Sequence, residues 1–180
     1  MRADEFFRAN EKLFAEADMM RLETLARETA ALGTSKCIVL AMRAQGQSQW
    51  RKRVFAALLV GELMRRTGAV AEGLIASLAA DGDWKVRDAI ARAIVILGKR
   101  DPEACLALTE NLRRFPNPYV VRAGLEGLRD MVMVLPEVVL PIGAEFTNHP
   151  SKIVRDAAAN LIKRGRQHPS REISEFARRL

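Results

Sequence analysis

Apolar side chains recur at three- and four-residue steps along most of the chain. Between residues 84 and 97, Val86, Ala89, Ile90, Ala93, Ile94 and Leu97 fall on one continuous stripe, the pattern of a helix with one buried face. The same period, broken at Gly and Pro, predicts eleven helices: 4–15, 18–31, 35–44, 49–66, 69–80, 84–97, 102–114, 118–132, 136–147, 151–164 and 169–179. The joints carry capping chemistry. Gly98 is placed to take a left-handed cap, and Asp101-Pro102-Glu103 supplies an N-cap, a first-turn proline and a first-turn acid. Pro116 and Pro118, then Pro136, then Pro150-Ser151 open later helices, while Pro141 inside the ninth predicts a kink or an early end.

The helices repeat. The segments QWRKRVFAALLV, DWKVRDAIARAI, PYVVRAGLEGLR and KIVRDAAANLI each place an arginine at the entry to an apolar helix. These are Arg53, Arg87, Arg122 and Arg155, spaced 34, 35 and 33 residues apart, with a degenerate copy at Arg21, 32 residues before Arg53. A helical period near 34 means paired helices that bury their faces by stacking on neighbours. The predicted fold is all-α, a right-handed α-solenoid of about five HEAT-like helix pairs. No linker interrupts residues 1–180, so a single domain is expected.

Composition narrows the classes further. The 180 residues are 49% hydrophobic and 28% charged, with mean hydropathy −0.06, which excludes a disordered chain. Aromatics are 6%, and β-branched runs are few, against a sandwich or barrel. No stretch reaches the roughly 18 apolar residues of a membrane helix. Met1-Arg2-Ala3-Asp4-Glu5 turns acidic too early for a secretion signal, so a cytoplasmic location is expected. Cys37 and Cys105 each lie in an apolar helical pattern and read as core fillers in a reducing compartment. His149 and His168 lack ligand-spaced partners, and no phosphate loop or hydrolase motif is present, so neither a metal nor a cofactor is expected.

Charge adds the functional hint. Residues 1–49 carry seven basic and seven acidic side chains, whereas residues 50–180 carry 22 and 15, so the whole net charge of +7 lies in the second stretch. Of the 29 basic residues 22 are Arg, whose planar fork suits phosphate, although codon supply in a GC-rich genome produces the same bias. The recurring arginines have two possible roles: an internal ladder paired with Asp81, Asp83, Asp88 and Asp156, or a row of ligand contacts. Arg51, Lys52, Lys85, Arg92 and Lys152 flank that ladder near helix starts, where backbone N–H groups also favour anions. Trp50 and Trp84 hold the same place in consecutive repeats. Each either packs under the preceding turn or rests on a sugar or base.

Trp50-Arg51-Lys52-Arg53, Asp83-Trp84-Lys85-Val86-Arg87-Asp88-Ala89-Ile90-Ala91-Arg92-Ala93-Ile94 and Gly98-Lys99-Arg100-Asp101-Pro102-Glu103-Ala104 together resemble the HEAT-like-repeat DNA alkylation repair family of AlkD-type DNA glycosylases. The resemblance covers about residues 18 to 132. It implies a helical solenoid that holds duplex DNA in its concave face. The departures fall on the chemistry. Arg92, with Ala91 before it, stands where the family's Gly-Trp borders the lesion, and Ala17-Asp18-Met19-Met20-Arg21 has Arg where the family's second aspartate belongs. Releasing an alkylated purine develops positive charge on the sugar, which a carboxylate stabilises and a guanidinium opposes. The family's backbone-binding Arg maps to Lys52 or Arg53.

The resulting expectation is a duplex-DNA-binding relative of these glycosylases with base excision weak or lost. Phosphates would be held by Arg51, Lys52, Arg53, Lys85, Arg87, Arg92, Arg122 and Arg155, with Trp50 and Trp84 beside them. Asp83 is the one acid to test for residual activity, although an N-cap for the helix from Trp84 is its simpler role. The alternative is a protein-interaction scaffold of HEAT-like repeats that does not bind nucleic acid.

Overall fold

The computed structural model describes residues 2–67 and 72–180, and every regular element in them is helical. In chain order these are α1 (Ala3–Ala9), α2 (Glu11–Glu16), α3 (Met19–Thr29), α4 (Thr34–Gln45), α5 (Trp50–Thr67), α6 (Glu72–Ala79), α7 (Trp84–Arg100), α8 (Pro102–Leu112), α9 (Pro118–Gly127), α10 (Pro136–Glu145), α11 (Lys152–Arg166) and α12 (Arg171–Arg179). Short 3₁₀ turns follow α3 at Ala30–Leu32 and precede α10 at Met131–Met133. The chain divides into two compact units, Met1–Ala93 and Ile94–Leu180, and the division falls inside α7 rather than at a linker. The expected helix start at 69 lies outside the described residues.

In the first unit α5 packs against α3 and α4 and buries Val54, Phe55, Ala56, Leu59, Val60 and Met64. Phe55 stacks on Phe6 at 5.5 Å and meets Phe14 edge-on at 5.5 Å, and Phe7 lies 5.7 Å from Phe14. The single helix expected over 4–15 is broken at Asn10. The Asn10 side-chain amide donates to the Phe6 carbonyl at 2.9 Å, a local bond that competes with continued helix. Two short helices then carry Phe6, Phe7 and Phe14 into one cluster, each ring worth about 1.5–3 kcal/mol on burial. Gly33, with φ of 93°, is the one positive-φ residue among those described and turns the chain into α4.

In the second unit α9 packs on α8 and α11, and α11 also receives α10 and α12. Gly98 is not a cap. It lies buried inside α7, which continues to Arg100, because its missing side chain admits α9: a Cβ there would sit 2.9 Å from the Gly127 carbonyl oxygen. Gly127 is tight in turn, since a Cβ would fall 2.3 Å from Ile94 Cγ2. Helix α9 stops at Gly127 rather than 132, and α10 ends at Glu145, two residues early, with Pro141 inside it. The expected cap forms at Asp101, which accepts the Ala104 N–H at 3.0 Å, and Asn117 caps α9 by accepting the Tyr119 N–H at 2.9 Å.

Candidate nucleic-acid interface

The recurring arginines act first on their own helix entries. Arg53 donates from Nη1 to the carbonyls of Gln47 and Ser48 at 3.0 and 2.7 Å. Arg87 donates in the same way to Asp81 and Gly82 at 2.6 and 2.9 Å, and Arg155 to His149 and Pro150 at 2.7 and 2.8 Å. In all three the acceptors stand six and five residues before the arginine. The guanidinium therefore latches the loop that leads into the helix, satisfying carbonyls that no helix ladder reaches. Arg122 departs from the pattern and pairs with Glu126 one turn ahead, at 2.6 Å.

Asp81 joins two rungs in the first unit. Its carboxylate takes the Arg53 fork through both oxygens, at 2.7 and 3.1 Å, and accepts the Asp83 N–H at 2.8 Å, while its carbonyl takes Arg87. The Arg53 side chain is 18% exposed and that of Asp81 10%. The hydrogen bond to Asp81 pushes the Arg53 guanidinium above its ordinary range, so it stays charged and held. Asp83 is an N-cap: its carboxylate accepts the Lys85 N–H at 2.9 Å at the mouth of α7. Lys52 is buried, with its ammonium 2.7 Å from Glu11 and 5.8 and 5.9 Å from the rings of Phe14 and Phe7. A cation so enclosed needs its acid partner, and Glu11 stands 41 residues away in sequence.

The starts of α5 and α7 present an aromatic and cationic cluster that reaches solvent. Lys85 Nζ lies 4.0 Å from the Trp50 ring centroid and 5.9 Å from that of Trp84. The Arg51 guanidinium lies 4.6 Å from Trp50 while its Nε donates to the Ala17 carbonyl at 2.9 Å. Neither cation has a carboxylate partner among the described residues. The two tryptophans differ: Trp50 is half-buried under these cations, whereas Trp84 is 63% exposed. Arg92, two turns further along α7, is 68% exposed and pairs with Asp88 at 2.8 Å. Such a surface pair contributes about 0.3–0.5 kcal/mol and yields readily to a phosphate. Arg122 and Arg155 lie in the second unit.

Sequence reasoning passed over a second charged node. Asp130, just after α9, holds Lys99 at 2.9 Å, Arg164 at 3.1 Å and Arg129 at 3.5 Å. Burial raises the Asp130 carboxyl, but the Lys99 hydrogen bond and the charges of Lys99, Arg129 and Arg164 outweigh it and bring the group below its ordinary range. Only the Arg129-Asp130 step is visible in sequence. The two histidines also have local work: in His149-Pro150-Ser151 and His168-Pro169-Ser170 each Nδ1 accepts the serine N–H at 3.1 Å ahead of α11 and α12. Burial pushes the Cys105 thiol up to about 11 and also raises Cys37, which leaves both as unreactive packing groups. Among the described residues no three His, Cys, Asp or Glu side chains gather as a metal site, and no helix is long and apolar enough to cross a membrane.

By its likeness to solved structures, the fold is an AlkD-type HEAT-like helical repeat. Two solved structures share it. AlkD2 from Streptococcus mutans matches with a TM-score of 0.77 at 18% identity, over 98% of this chain and 87% of that one. The smu.31 protein of Streptococcus mutans UA159 matches at 0.76 and 18%, over 98% and 96% of the two chains. No family model and no curated protein matches the sequence.

Proposed function

We propose that this protein binds duplex DNA through its phosphate backbone and does not excise bases. The observation that carries this reading is the Trp50–Lys85–Trp84 cluster, in which two cations without acid partners among the described residues sit on aromatic faces beside an exposed indole. A net charge of +7 and a pI near 10.0 supply the long-range attraction. The contact set is narrower than the full arginine row, because Lys52 and Arg53 are engaged inside the unit. It centres on Arg51, Lys85 and Arg92, with the exposed Trp84 indole beside them. Loss of excision is supported by the acids at hand. Asp83 caps α7, and Asp18 caps α3 by accepting the Arg21 N–H at 2.9 Å.

Fluorescence anisotropy of a labelled duplex at two salt concentrations tests the binding. Tight association at low salt that weakens steeply with added salt is the expected result, and no association at low salt rejects the reading. Base release from methylated DNA at the uncatalysed background is expected alongside it. One observation favours a scaffold instead: Leu32, Val39 and Met42 are exposed beside a shallow apolar cavity lined by Ala3, Leu32, Ser35, Lys36, Val39 and Leu40. Failure of DNA binding would leave that surface as the better guide.

A further inference from the structure

The second unit carries a cationic surface that the arginine repeat does not explain. Along the outer face of α11, Asn160, Lys163 and Arg166 are exposed at three-residue steps, and Gln167 follows. Arg166 Nε donates to the Ala177 carbonyl at 3.3 Å, and Ser174 Oγ donates to the Arg166 carbonyl at 3.0 Å. These two bonds fix the end of α11 against the last turn of α12, where Arg178 and Arg179 are both exposed. Lys163, Arg166, Arg178 and Arg179 thus share one end of the unit, and none has a carboxylate partner among the described residues.

Most acids on the elements packed around this patch already hold a cation. Glu175 is held by Arg171 at 2.7 Å, Asp156 by Lys152 at 2.7 Å, and Asp130 by Lys99, Arg129 and Arg164. Glu172, in the first turn of α12, and Glu137, in the first turn of α10, are exposed acids that hold no cation among the described residues. One cation per helix end suffices to meet the terminal carbonyls, and Arg166 already does so for α12. Four gathered at one place repel one another unless a polyanion neutralises them.

We infer that Lys163, Arg166, Arg178 and Arg179 form a phosphate-backbone contact in the second unit, separate from the Trp84 cluster. This rests on the duplex-binding reading and extends it to a site outside the arginine repeat. Three of the four are arginines, whose forks match phosphate oxygens, and Asn160 and Gln167 add neutral donors. A lipid surface fits less well: Ile173 and Phe176 are only half-exposed, and Leu180 is the one exposed large apolar residue of α12 and its end.

The test compares the unsubstituted protein with Lys163→Gln/Arg178→Gln/Arg179→Gln, which keeps Arg166 and its bond to Ala177, and with the same variant carrying Arg166→Gln. Duplex affinity is measured across a salt series, with thermal melts confirming the fold. The triple variant is expected to bind at least tenfold more weakly at low salt, with the log–log salt slope shallower by about 2 to 3. An unchanged slope in a folded triple variant overturns the inference while duplex binding stands. Absence of binding by the unsubstituted protein overturns both. Sedimentation with phosphatidylserine vesicles forms the other arm: vesicle binding that the triple variant loses, with an unchanged duplex slope, assigns the patch to membranes and also overturns it.

Discussion

The Lys85 ammonium rests 4.0 Å from the centroid of the Trp50 ring, on the tryptophan that opens the preceding repeat. The contact joins the start of α7 to the start of α5 and keeps the cation on an aromatic face rather than on an acid. A cation so held is pre-positioned and loses little freedom when a phosphate arrives.

Lys85→Gln is therefore expected to lower duplex affinity and to make the salt slope shallower by about 1, with little change in melting temperature. Trp84→Ala should weaken binding more for single-stranded than for double-stranded DNA, because an unstacked base gains about 1–3 kcal/mol from an indole that a stacked one does not reach. Anisotropy on the two substrates reads both effects. Equal losses on the two would place Trp84 against the backbone alone.

Arg53→Ala predicts the opposite profile. It strands the Asp81 carboxylate, whose side chain is 10% exposed, and frees the Gln47 and Ser48 carbonyls. The expected loss is about 3 kcal/mol of stability, read by denaturant unfolding. Arg53→Lys should recover only part of it, since an ammonium cannot serve both carboxylate oxygens and two carbonyls at once.

Gly98→Ala is expected to destabilise the protein by about 1–3 kcal/mol. The new methyl would meet the Gly127 carbonyl oxygen at 2.9 Å, and backbone does not move aside as a side-chain tip does. Gly73→Ala is the control, because a Cβ there meets nothing within 4 Å. A chemical denaturation midpoint for each variant measures the difference.

Asp130 predicts an acid-sensitive fold. Its folded pKa lies below the ordinary value of 3.8, so its contribution is present above that pH and is lost as pH falls through the lower folded value. Asp130→Asn should lose about 2 kcal/mol at neutral pH and flatten the pH dependence of stability below about 4. Urea unfolding at pH 7 and at several points below 4 shows both.

The sequence by itself determined most of the helices, their repeat and the caps at Asp83 and Asp101. Each of these is local: the apolar stripe of α7, the Asp101 cap and the arginine spacing involve residues within a few turns or one fixed period. Even so, Gly98 reads as a cap in sequence and serves as a contact in three dimensions, because nothing local distinguishes a glycine that ends a helix from one that admits another. Which cations face a ligand was decided only by the tertiary structure. Lys52 and Lys85 both stand among the cations of their helix starts, yet Glu11 and two phenylalanines enclose the first, while the second stays on an indole at the surface. The acids that engage Lys52 and Arg53 lie 41 and 28 residues away. Periodicity encodes which side of a helix is buried, whereas charge pairing depends on distances between helices, and these exist only once the layers have packed.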